Sequence, residues 1–97
     1  EGNRIGGAVA DGLIAMILDN HGIMVIGNTV AEAWFRLYFF ERAAQVQLLA
    51  QSTGDELIRM SDETAVAAQA FFDSETHLPA ALFAAERRRV LSQAGCC

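Results

Sequence analysis

Leu18-Asp19-Asn20-His21-Gly22-Ile23 joins two short apolar runs, and its reading decides the fold. Ala15 to Leu18 and Ile23 to Ile26 have the length and apolar character of strands, so Asp19 to Gly22 form the polar turn between them. Gly22 supplies the positive φ that such a turn needs and that a β-branched residue would resist. The spacing therefore predicts an antiparallel pair with His21 held on a short, rigid connection. A neutral imidazole fixed in this way can ligate a divalent metal. On position alone the plainer reading, a histidine that hydrogen-bonds its own turn, is the favoured one, because a lone histidine has no ligand spacing to support it.

Downstream of the turn, Gly27-Asn28 ends the second strand and Thr29-Val30-Ala31-Glu32 reads as a capping box. The Thr29 hydroxyl is expected to accept from the Glu32 amide while the Glu32 carboxylate reaches back to the Thr29 amide. The helix that starts there runs to about Gln51. Val30, Trp34, Leu37, Ala44 and Leu48 form one stripe at three-and-four spacing, with Ala31, Phe35, Tyr38 and Leu49 beside it. So much apolar circumference predicts burial on more than one side. Glu41 and Arg42 fall inside these stripes, which predicts a buried ion pair locking the helix to the sheet or a neighbouring subunit, ahead of a catalytic role for Glu41.

The flanks are simpler. Asn3 to Ala10 reads as a weak, glycine-containing helix that Gly12 breaks. Ser61-Asp62-Glu63 opens a later helix with a hydroxyl cap and two acids in its first turn, with modest apolar positions at Val66, Ala70 and Phe71. Ser74 to Leu78 is a polar link in which His77 is solvated. Pro79 begins a last helix where a missing amide costs nothing, and Arg87-Arg88-Arg89 near its end complements the helix dipole.

The run from Asn20-His21-Gly22 through Gly27-Asn28-Thr29-Val30-Ala31-Glu32-Ala33 to Tyr38-Phe39-Phe40-Glu41-Arg42-Ala43-Ala44-Gln45 resembles the C-terminal part of the class II aldolase/adducin family. Three features occur in the family's order: an Asn-His-Gly turn, a Gly-x-(Ser/Thr)-Val-x-Glu-Ala helix start, and an aromatic helix containing Glu-Arg. The resemblance is dense from about Ala15 to Gln51 and weaker through Pro79 and Arg88. It implies an α/β chain, the C-terminal portion of a three-layer α/β/α domain, with two strands and about three helices across residues 1–97. It also implies that His21 is the third of three histidine ligands to zinc or another divalent metal. The activity implied is that of an aldehyde-lyase acting on a sugar phosphate or related hydroxyacid through a metal-stabilised enediolate. The family's His-x-His pair and catalytic carboxylate have no counterpart upstream of His21, so the expectation is of less than half a domain, inactive by itself. The alternative is an adducin-like, non-catalytic assembly module. Family members assemble as homotetramers, and the resemblance implies a homo-oligomer here.

Composition bounds these readings. With no lysine among its seven basic residues, the segment cannot supply a Schiff-base nucleophile. A net charge of −5 argues against nonspecific nucleic-acid binding and against acidic membrane surfaces. No apolar run is long enough to span a bilayer, and the first residues lack a signal-peptide pattern, so a cytoplasmic setting is expected. Cys96 and Cys97 are adjacent and suit neither a disulfide framework nor a metal knuckle. A hydrophobic content of 53% in 97 residues predicts that part of the apolar surface is covered by other polypeptide.

Overall fold

The computed structural model describes residues 2–95; Cys96 and Cys97 lie outside the described residues. The order is α1 (Gly2–Ala10), β1 (Ala15–Leu18), β2 (Gly22–Val25), α2 (Val30–Ser52), α3 (Asp62–Ser74) and α4 (Leu78–Gln93). This is a mixed α/β arrangement of two strands and four helices among the described residues, and the glycine-containing N-terminal stretch read as a weak helix forms a complete one. It ends in a Schellman motif: Gly12 N–H donates to the Val9 carbonyl, Leu13 N–H donates to the Ala8 carbonyl, and Gly12 takes φ 85°.

β1 and β2 pair antiparallel, with Ala15 opposite Val25 and Leu18 opposite Gly22. The second strand thus begins one residue earlier than the apolar run suggested, leaving a three-residue loop of Asp19, Asn20 and His21. Asn20 takes the left-handed conformation at φ 59° and Gly22 lies at φ 117°. Asparagine tolerates that region better than most side chains, so Asn20 shares the reversal first assigned to the glycine alone.

Past β2 the chain turns sharply into α2. A methyl group at Gly27 would lie 2.6 Å from the Ala33 backbone nitrogen, so the strand exit runs directly against the first turn of the helix and only glycine fits. Thr29 is the N-cap, and its hydroxyl accepts from Glu32 N–H at 3.1 Å. The reciprocal bond differs from the expected box. The Glu32 carboxylate accepts from Asn28 N–H at 2.7 Å, one residue upstream of Thr29. Its other oxygen pairs with Arg36 at 2.5 Å, which holds the carboxylate on the side of the chain where Asn28 lies.

α2 is the hub of the packing. Trp34 stacks on Tyr38 at 5.3 Å and meets Phe83 of α4 edge-on at 5.8 Å. On the adjacent face Phe35 and Phe39 meet Phe72 of α3, at 6.2 and 5.3 Å. Phe72, rather than its neighbour Phe71, carries α3 onto the hub, and Val66 and Phe71 are exposed. Burial on more than one side is not achieved among the described residues: of these Phe35 alone is buried, at 9% exposure, while Val46, Leu48 and Leu49 are exposed.

Candidate functional site

The hairpin tip presents His21. Its backbone N–H donates to the Leu18 carbonyl at 3.1 Å, closing the loop. Its Nδ1 lies 2.9 Å from the Asp19 carbonyl oxygen. A carbonyl can only accept, so this contact requires the proton on Nδ1 and leaves the neutral ring with a free lone pair on Nε2. Both readings of this histidine therefore meet in one geometry. The side chain hydrogen-bonds its own turn, and in doing so it takes the tautomer and fixed orientation that metal-ligating histidines adopt. The ring is exposed.

Nothing in the described residues gathers around it. No three of His, Cys, Asp and Glu come together there in a cluster able to hold a metal ion. His77 is exposed in the α3–α4 connection, with Nε2 3.7 Å from a Glu75 carboxylate oxygen. The residues present fit a single metal ligand at Nε2 and not a complete site.

The buried ion pair expected at Glu41 and Arg42 is absent at that position: both residues are exposed, and Arg42 lies over the Tyr38 ring at 5.1 Å. The apolar stripes placed these charges in a core, but the helix turns that part of its surface outward. The lock between helix and hairpin sits in the first two turns of α2 instead. Arg36 bridges from the Glu32 carboxylate to the Ile26 carbonyl at the exit of β2. Sequence reasoning passed over Arg36, although its i,i+4 spacing from Glu32 was the available signal. Beside this lock an open groove of about 830 Å³ runs between α2 and the α3–α4 region, lined by Phe35, Phe39, Phe40 and Phe72 with Glu32 and Arg36 at its wall. His21 does not line it.

The arginine triplet of α4 lies before the last turn, which carries no basic residue. It therefore does not cap the dipole as the sequence suggested. Arg89 instead forks onto Glu86 and reaches Gln93 at 3.0 Å. The Arg89 side chain's hydrogen bond holds the Glu86 carboxyl below the usual carboxylate range, and the same pairing raises the Arg89 guanidinium.

Residues 1–48 match the family described as Class II Aldolase and Adducin N-terminal domain. Over that stretch, just under half of its length, the chain is similar to the family. A "Putative aldolase class 2 protein" of Pseudomonas aeruginosa is 40% identical over 45 residues, covering 46% of this chain and 17% of the relative. A Caulobacter vibrioides protein of the same description is 38% identical over 50 residues, covering 52% and 20%. The meiotically up-regulated gene 14 protein of Schizosaccharomyces pombe is 46% identical over 52 residues, covering 54% and 20%. The matched stretch thus spans about a fifth of the length of these relatives. No solved structure matches the chain. No helix among the described residues is long and apolar enough to cross a membrane.

Proposed function

We propose that this segment contributes His21 as one metal ligand of a class II aldolase-like aldehyde-lyase acting on a sugar phosphate or related hydroxyacid. In that reading the hairpin and helices form the C-terminal part of a three-layer α/β/α domain that assembles as a homo-oligomer in the cytoplasm. The observation that carries it is the Nδ1 contact of His21 with the Asp19 carbonyl, made at the tip of a hairpin that lies within the family match. The hydrogen bond fixes the ring plane and leaves Nε2 free to face a metal, and the Leu18 contact keeps the loop from relaxing. Zinc or another divalent ion held at Nε2 would supply Lewis-acid stabilisation of negative charge developing on substrate oxygens. Glu32, Arg36 and Gly27 act at one remove, by fixing the hairpin on α2 and so fixing where His21 stands.

A second reading, an adducin-like assembly module without catalysis, is favoured by the exposed apolar surface of α2. One experiment separates the two. In the gene product that carries this sequence, retro-aldol cleavage of sugar phosphates is measured with and without a chelator and with His21→Ala. The lyase reading expects activity that falls by about a hundredfold or more in both cases. Cleavage untouched by His21→Ala removes His21 from the site. Absence of cleavage with assembly intact selects the second reading.

A further inference from the structure

Residues 55–60 connect α2 to α3 without belonging to a helix, strand or turn of the hydrogen-bonded kind. Among the described residues, the backbone groups of residues 56–60 have no backbone partner, and the only local tie is Asp55 N–H donating to the Thr53 hydroxyl at 3.2 Å. The segment is nonetheless apolar at its centre. Ile58 is 100% exposed and Met60 is 64% exposed. Together with Val46 and Ala50 of α2 they border a groove of about 1060 Å³. An aliphatic side chain held wholly in water beside free backbone donors and acceptors is the signature of a strand without its neighbour.

We propose that this segment is a contact between two copies of the chain, in which residues 55–59 pair antiparallel with themselves across a two-fold axis at Leu57. On one face of the ribbon the pattern of the sequence is its own complement in that register, while on the other Glu56 falls opposite Ile58. Alternation puts Asp55, Leu57 and Arg59 on one face of the ribbon. A two-fold axis through Leu57 sets Asp55 opposite Arg59 of the partner subunit, twice, with the two leucines meeting at the centre. The other face carries Ile58, whose side chain leaves water as the second copy closes over the Val46 and Met60 groove. Surface is available for it. Ile58, Met60 and the groove beside them are exposed. A standard interface takes about 800 Å² from each partner. The contact is independent of any metal at His21.

The test is sedimentation of the 97-residue chain across concentration, with Arg59→Asp and the reversed pair Asp55→Arg/Arg59→Asp. The parent should form a dimer, or an even-numbered oligomer built from it. Arg59→Asp faces acid with acid in both halves and should weaken association about tenfold or more. The reversed pair should restore it. Hydrogen exchange on the unaltered chain gives a second readout, since every other amide of residues 55–59, the set that faces the partner strand, should slow as concentration rises. A parent that stays monomeric at about 100 μM, association indifferent to Arg59→Asp, failure of the reversed pair to restore it, or amides whose exchange ignores concentration each overturns the proposal.

Discussion

At the scale of single residues, His21 has the orientation of a ligand without a ligand's company. The Asp19 carbonyl sets its tautomer, and no cluster of metal-binding side chains surrounds it among the described residues. Tight zinc binding needs three protein ligands in suitable geometry, and one imidazole provides only a weak, exchangeable contact. Isothermal titration of the 97-residue chain with zinc should therefore show no stoichiometric site of submicromolar affinity. A tight site that vanishes in His21→Ala would mean that copies of the chain meet around the hairpin tip and complete the ligand set between them. The turn and its histidine were legible in six residues of sequence because a hairpin is a local event. The missing partners were not, since ligands converge through tertiary structure.

At the scale of elements, the contrast between Glu41 and Arg36 shows what a helical stripe can and cannot say. Cap residues announce themselves within four positions, and the Thr29 and Ser61 hydroxyls accept the amides that the sequence assigned to helix starts. Periodicity identifies an apolar face but not whether anything lies against it. Glu41 is exposed on α2, whereas Arg36 is half-buried where Gly27 brings the strand exit against the helix. The two variants should separate in denaturant melts. Glu41→Ala should change stability by about 0.5 kcal/mol or less, the ordinary range for a surface site. Arg36→Ala strips the Ile26 carbonyl and the Glu32 carboxylate of a shared, half-buried charged donor and should cost about 1–3 kcal/mol. A Glu41→Ala loss comparable to that of Arg36→Ala would reinstate a covered, paired Glu41 in the protein in solution, supplied by contact with another copy.

At the scale of the whole molecule, the chain encloses too little of itself. An unfolded chain of 10.5 kDa exposes about 15,000 Å², so folding to 7999 Å² removes only about half, less than the roughly 60% that even a 60-residue domain achieves. The radius of gyration of 16.5 Å tells the same story against about 13 Å for a compact chain of 100 residues. One element explains both numbers. α2 spans 23 residues, about 35 Å of helix, and its second half carries Val46, Leu48 and Leu49 into solvent beyond the reach of the hairpin. Hydrophobic burial is the main force opposing conformational entropy, so an isolated copy this open has little margin. Stability should then come from association and obey mass action. The urea midpoint should rise with protein concentration, and sedimentation equilibrium at micromolar concentration should give a mass well above 10.5 kDa. The urea slope at high concentration should exceed that of dilute chain, because unfolding then exposes the covered faces as well. A monodisperse monomer with a cooperative, concentration-independent transition would show that α2 closes its own core, and the contact at residues 55–59 would fall with it.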